Sequence, residues 1–215
     1  TVMQGFAEVL MNKEGMDDTS KKQLGRIYKE CLRLGSLISD MLMLSKIESG
    51  EAPIRALSEV ALEDIAKEVL DGLSERAQSR NITASIVGSA KICADQTMIF
   101  ELVENLVSNA IKYNNPGGTV TISVHSSEDK VLLTVADTGI GIPKESQKKI
   151  WDRFYKTDLS RGKDKKGTGL GLSIVREIIR AHEENINLVS TEGIGSEFIF
   201  TLKRSDLNDD LDLEE

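Results

Sequence analysis

Val131-Leu132-Leu133-Thr134-Val135-Ala136 runs without a break into Asp137-Thr138-Gly139-Ile140-Gly141-Ile142-Pro143. The first six residues read as a buried strand, and the acid and two glycines that follow end it. The glycines let backbone approach a flat ligand, while Asp137 sets a carboxylate at the strand end. A carboxylate accepts from an exocyclic amine, which adenine has and guanine lacks. The plainer alternative is a glycine-rich strand-to-helix turn capped by Asp137, with a helix beginning after Pro143.

Outward from this segment, strands are predicted at Ile82–Val87, Lys91–Ala94, Thr119–Ser126, Lys130–Asp137, Ile186–Ser190 and Glu197–Lys203. Helices are predicted at Leu62–Arg80, Asp95–Tyr113 and Leu170–Ala181, the last with apolar positions at Leu172, Ile174, Val175, Ile178 and Ile179. Ser127–Asp129 and Glu192–Ser196 are hairpin-length connections. The pattern gives an α/β two-layer sandwich, a mixed or mainly antiparallel sheet with helices on one face. Between Asp152 and Gly171 lies a polar, glycine-containing stretch that is either a functional lid or disorder.

Ahead of this unit the period changes. Leu24, Ile27, Cys31, Leu34, Ile38 and Met41 fall at alternating steps of three and four, thickened by Leu37, Leu42 and Leu44, which is a heptad seam. Asp18 or Ser20 can cap its start, and Gly50 and Pro53 stop it. A shorter apolar helix, Val2 to Met11, precedes it across a turn containing Gly15. The two read as an α-helical hairpin that pairs with a second copy or docks on the following domain, although an intramolecular pair of core helices is also open. Three parts result: residues 1–50, residues 51–204, and an acidic tail, residues 205–215, expected to be disordered.

Of 215 residues, 40% are hydrophobic and 29% charged, ordinary globular usage with no run long enough to span a bilayer. The last eleven residues hold six acids and no base, so most of the formal net charge of −8 sits in the tail. The body then reads as neither a nucleic-acid nor a lipid surface. Cys31 and Cys93 lack metal-ligand spacing and read as small apolar residues.

Two further segments carry chemistry. On the helix Asp95–Tyr113, Ile99, Leu102, Val103, Leu106, Val107 and Ala110 form one apolar arc, with Asn105 and Asn109 at its edge and Lys112 one turn on. Amide oxygens four apart could face a hard cation and a lysine beyond them a phosphate, but helices also carry such residues beside a core. Lys166-Gly167-Thr168-Gly169-Leu170-Gly171-Leu172 places glycines at alternate positions ahead of a helix, where successive amides can hold an anion. It matches neither the P-loop nor the dinucleotide fingerprint. Arg161, Lys163, Lys165 and Lys166 add positive charge that fits either a triphosphate or a solvated lid.

Together these segments resemble the catalytic part of the bacterial sensor histidine kinases of two-component systems, in the ATPase superfamily shared with type II topoisomerases, heat-shock chaperones and mismatch-repair proteins. Asn105-Leu106-Val107-Ser108-Asn109-Ala110-Ile111-Lys112-Tyr113 is similar to the N box, Asp137-Thr138-Gly139-Ile140-Gly141 to the G1 box, Trp151-Asp152-Arg153-Phe154-Tyr155 to the F box, and Gly167-Thr168-Gly169-Leu170-Gly171-Leu172 to the G2 box. Gly193-Ile194-Gly195-Ser196-Glu197-Phe198 resembles the closing hairpin of that fold.

The resemblance implies a histidine-kinase-type ATPase fold behind a truncated dimerisation and phosphotransfer hairpin, with ATP and magnesium as cofactors. It implies that Asn109 binds magnesium with Asn105 nearby, Lys112 contacts phosphate, Tyr113 packs on the nucleotide and Asp137 selects adenine. Gly139, Gly141, Ile142, Tyr155 and Lys156 would also bind the nucleotide. Lys156 stands where the family often has arginine. Gly167, Thr168, Gly169, Leu170, Gly171 and Leu172 would close over the phosphates. Asn105 stands where the chaperone and topoisomerase relatives carry a water-orienting glutamate, which favours phosphoryl transfer over hydrolysis.

The implied activity is transfer of the ATP terminal phosphate to a histidine seven residues before Thr1, then to a response-regulator aspartate. The implied setting is a homodimer, cytoplasmic, attached to a membrane only through other segments and free of nucleic acid. His182 reads as a structural residue favoured by a helix dipole and His125 as solvent-facing. An ATP-hydrolysing or serine-kinase member of the superfamily, or a non-enzymatic nucleotide-binding module, is the alternative.

Overall fold

A computed structural model describes residues 2–11, 17–49, 57–157 and 167–205. In chain order the elements are α1 (Val2–Met11), α2 (Asp18–Glu48), β1 (Ser58–Ala61), α3 (Leu62–Gln78), β2 (Thr83–Val87), β3 (Lys91–Ala94), α4 (Gln96–Lys112), β4 (Thr119–Ser126), β5 (Lys130–Asp137), α5 (Gly171–Ala181), β6 (Ile186–Thr191) and β7 (Gly195–Lys203). Among the described residues, β2-β4-β5-β7-β6 form one sheet and β1-β3 a separate antiparallel pair. β2 runs parallel to β4 and the other neighbours are antiparallel, so the sheet is mixed.

Period-two alternation builds the core. Val120, Ile122 and Val124 on β4, Val131, Leu133 and Val135 on β5, and Phe198, Phe200 and Leu202 on β7 are all buried. They meet the apolar arcs of three helices, represented by Ile65 and Val69 on α3, Leu102 and Leu106 on α4, and Ile174 and Ile178 on α5. Each such side chain contributes roughly 1.5–3 kcal/mol by leaving water. The opposite face of the sheet carries Thr121, Ser123 and an exposed His125.

Helix starts follow carboxylates. Asp95 caps α4 by accepting from the amides of Thr97 and Met98 at 3.0 and 3.1 Å. The cap of α2 is Asp17, rather than Asp18 or Ser20. Its Oδ1 accepts from the Ser20 amide at 2.9 Å and its Oδ2 from the Ser20 hydroxyl at 2.6 Å. The sequence reading missed β1, a four-residue strand paired with β3. No helix follows Pro143, since residues 144–150 form a run of turns in which Ser146 carbonyl accepts from both Lys149 and Ile150.

The heptad seam divides. Cys31 and Leu44 are buried, and Leu37, Met43 and Ile47 pack on the core, with α2 lying against α5. Ile27, Leu34, Ile38 and Met41 are about half exposed, as are Val2, Phe6 and Val9 of α1 to a larger degree. The Gly15 turn, the boundary near Gly50 and Pro53, and the acidic residues from Asp206 onward lie outside the described residues. No helix among those described is long and apolar enough to cross a membrane.

Candidate active site

Asp137 ends the middle strand of the sheet, paired with Val120 on one side and Ser196 on the other. The loop after it is held from both flanks. Ile140 amide donates to the Tyr113 carbonyl at 3.1 Å, and Ile140 carbonyl accepts from the Gly193 amide at 2.8 Å. The Ile142 amide donates to Ser190 Oγ at 2.8 Å. Glycine is required here for close approach: a Cβ on Gly139 would sit 2.6 Å from the Tyr113 carbonyl oxygen, and one on Gly141, whose φ is +64°, 2.0 Å from that of Thr191. Asp137 Oδ1 accepts from the Gly139 amide at 2.8 Å. Burial pushes the Asp137 carboxyl above the usual carboxylate range, opposed by backbone donors at Gly139 and Ser196.

A cleft of about 770 Å³ opens beside this strand end. Asn105, Asn109, Lys112 and Tyr113 of α4 form one wall, and Asp137, Ile140, Gly141 and Ile142 the floor. Tyr155, Lys156, Gly167, Thr168, Gly169, Gly171 and Leu172 close it from the side of α5. Four stretches far apart in sequence thus meet around one volume. Two of the expected residues are placed differently. Gly139 packs under Tyr113 and Asn114 rather than on the wall, and Leu170 is fully buried in the core, its amide donating to Thr168 Oγ1 at 3.3 Å. Residues 158–166, with Arg161, Lys163, Lys165 and Lys166, lie outside the described residues.

Asn105 is set by its own helix. Its Nδ2 donates to the Glu101 carbonyl at 2.9 Å and to Glu101 Oε1 at 3.1 Å, so its oxygen faces Gly171, where a Cβ would come within 2.5 Å. Burial, and then the nearby Glu104, push the Glu101 carboxyl up. The Lys112 ammonium lies 5.1 Å from the centroid of the Tyr113 ring, a cation–π arrangement. Tyr155 hydroxyl donates to Ser146 Oγ at 3.0 Å.

Other residues line the cleft that were not among the expected site residues. Ser196 and Phe198 reach it from β7, and Lys29, Arg33, Ser36 and Asp40 from α2. Glu101 could have been read, since it precedes Asn105 by one turn on the same strip. His182 is the structural residue expected at a helix C-terminus, capping α5. Its Nδ1–H donates to the Ile178 carbonyl at 2.8 Å and its Nε2 accepts from the Asp95 amide at 3.3 Å, tying the end of α5 to the start of α4.

The donor set suits a metal carried in with phosphate. Among the described residues there is no group of three or more acids, cysteines or histidines placed to hold a metal ion. Asn105 and Asn109 supply amide oxygens only, so a magnesium ion here would draw its remaining ligands from phosphate and water.

The family model described as "Histidine kinase-, DNA gyrase B-, and HSP90-like ATPase" matches residues 94–206, and the "His Kinase A (phospho-acceptor) domain" model matches residues 1–50. The sensor histidine kinase RppB of Synechocystis is 34% identical over 182 residues, covering 83% of this chain and 40% of that protein. Sensor histidine kinase WalK of Bacillus subtilis is 33% identical over 222 residues, 98% of this chain and 35% of that protein. The chain thus spans about half or less of the curated relatives it matches. Among solved structures, full-length ShkA in complex with AMPPNP aligns with a TM-score of 0.79 at 26% identity, over 93% of this chain and 42% of that one. Histidine kinase ThkA in complex with the response regulator TrrA aligns with a TM-score of 0.67 at 28% identity, over 97% of this chain and 58% of that one.

Proposed function

The chain belongs to the sensor histidine kinases of two-component systems, and on that premise we propose that its cleft binds ATP with magnesium and presents the terminal phosphate to a histidine. The observation that carries this reading is the convergence of Asp137, Asn109, Lys112 and the glycine loop before α5 on one cleft. Asp137 accepts from the adenine amine. Asn109 holds the metal with Asn105 beside it, Lys112 meets phosphate, and Tyr113, Tyr155 and Lys156 flank the nucleotide. Backbone amides of the glycine loop ahead of α5, with the N-terminal end of that helix, hold phosphate oxygens. Magnesium, when bound, supplies charge neutralisation on the phosphates. The residues do the rest by positioning, which is most of what phosphoryl transfer needs from a protein.

The acceptor histidine in this reading is neither His125 nor His182. Residues 1–50 match a phospho-acceptor domain yet contain no histidine, since the chain has only these two. His125 lies on the sheet face away from the helices, and both ring nitrogens of His182 are engaged. This reading takes as acceptor a histidine upstream of Thr1, as the resemblance to the phosphotransfer hairpin implies. The complex of ThkA with TrrA supports a response regulator as the next recipient. The exposed apolar positions on α1 and α2 support a homodimer in the intact protein. A cytoplasmic site of action accompanies an ATP-dependent kinase of this kind.

The test is calorimetry with magnesium ATP, followed by incubation with ATP labelled in its terminal phosphate, with and without a separately supplied phosphoacceptor hairpin. Binding, with label appearing only on the supplied hairpin, is the expected result. Acid-labile phosphate on His125 or His182 in the chain alone overturns the acceptor assignment, and absence of ATP binding overturns the site.

A further inference from the structure

Arg80, in the turn between α3 and β2, reaches the C-terminal end of α4 and borders the same cleft. Its Nη1 donates to the carbonyl of Ile111 at 2.9 Å and to that of Lys112, and its Nη2 donates to the carbonyl of Asn114 at 2.9 Å. A helix end leaves such carbonyls without intrahelical partners, and a guanidinium there also meets the negative end of the helix dipole. The turn that bears it is braced. Arg80 amide donates to the Ala77 carbonyl at 3.1 Å, and its carbonyl accepts from the Gly117 amide at 3.2 Å.

The backbone gripped by this fork carries Lys112 and Tyr113. We propose that Arg80 is a positioning residue for the phosphate end of the nucleotide site, fixing the last turn of α4 so that the Lys112 ammonium stays over the Tyr113 ring at the cleft wall. The proposal rests on the nucleotide reading above. The base end is held by other means: Asp137 is paired with Val120 and Ser196 and bonded to the Gly139 amide. The Ile140 amide also ties the base loop to the Tyr113 carbonyl, so loss of the fork falls mainly on phosphate and less on adenine. A lysine at this position keeps the charge but cannot span three carbonyls.

The experiment is calorimetric titration of the full chain with magnesium ATP and, separately, with adenosine. No ATP binding by the unaltered chain overturns the nucleotide reading itself. If the unaltered chain binds, Arg80→Ala is expected to weaken ATP by roughly tenfold and adenosine by less than about twofold, with Arg80→Lys recovering part of the loss. In a Lys112→Ala background the same change is expected to add little, because Arg80 acts through Lys112. Equal losses for ATP and adenosine, or full additivity with Lys112→Ala, overturn the proposal. If Arg80→Ala does not fold, Arg80→Lys decides, and an unchanged ratio of ATP to adenosine affinity overturns it.

Discussion

Asp40 on α2 and Thr168 in the glycine loop are joined across the cleft, the Thr168 hydroxyl donating to Asp40 Oδ2 at 3.2 Å. The same Thr168 oxygen accepts from the Leu170 amide, so the loop ahead of α5 is tethered to the helical hairpin. Burial pushes the Asp40 carboxyl up, opposed by the Thr168 hydroxyl. When ionised it puts negative charge at the amide-rich end of α5, where a phosphate is favoured. Asp40→Asn keeps an acceptor for Thr168 and removes that charge. ATP affinity is expected to rise roughly two- to fivefold at low salt, with adenosine unchanged and the gain shrinking as salt is added. Titrations at two ionic strengths check it, and an equal gain for adenosine would contradict it.

In the proposed reading, Asp137 is expected to trade stability for recognition. Burial raises its folded-state pKa, so the folded chain holds this proton to higher pH than the unfolded chain does. Its ionised form therefore costs stability at neutral pH, and the cost is relieved as pH falls through the raised value toward the ordinary one. Asp137→Asn is expected to melt at or above the unaltered chain at neutral pH, with the difference closing in acid. ATP affinity is expected to fall by about 1.5–3 kcal/mol, the worth of a charge-assisted hydrogen bond. Melting curves across pH, paired with calorimetry, separate the two effects. A large drop in neutral-pH stability would show that the carboxylate is structural.

In the proposed reading, metal dependence is expected to fall on Asn109. Asn109→Ala is expected to remove most of the difference between ATP affinity with magnesium and with chelator present, and to leave adenosine within about twofold, since one amide oxygen is lost far from the base. Equal losses for both ligands would point to damaged packing instead.

Strands β4 and β5, with Val120, Ile122, Val131 and Leu133 alternating, were legible to the residue because one face is buried and the other is not. The glycine segments stood out because close backbone approach excludes a Cβ at Gly139 and Gly141, and with the asparagine segment they line one cleft. β1 was not, since four residues with one buried side chain carry too little pattern. Nor was the role of Arg80 or Asp40. Each makes its contacts across at least 31 positions of sequence, and a lone arginine or aspartate on a helix or turn has many uses. The heptad seam misled in one respect: a period of three and four marks the apolar positions but not which of them meet this chain's own core. Cys31 and Leu44 are buried while Ile27 and Leu34 are half exposed.

Gly171 and Gly117 make a controlled pair. A Cβ on Gly171 would lie 2.5 Å from Asn105 Oδ1, the end of a movable side chain, whereas Gly117 has open space around it but a φ of +80°. Gly171 begins α5 with helical geometry, so alanine is tolerated by its backbone. Gly171→Ala is therefore expected to melt within about 1 kcal/mol of the unaltered chain while swinging Asn105 off its place, weakening magnesium ATP by roughly tenfold. Gly117→Ala is expected to do the reverse, costing about 1–2 kcal/mol of stability through its left-handed backbone and leaving nucleotide affinity unchanged. Glu101→Ala, which removes the side-chain acceptor and leaves the Glu101 carbonyl as the one remaining hold on the Asn105 amide, should soften the effect of Gly171→Ala because the side chain can then yield by breaking one hydrogen bond instead of two. Thermal melts and magnesium ATP titrations on the three single variants and the Glu101→Ala, Gly171→Ala double variant check this. A Gly171→Ala chain that folds and binds magnesium ATP as before would mean that the placement of Asn105 does not matter to the site.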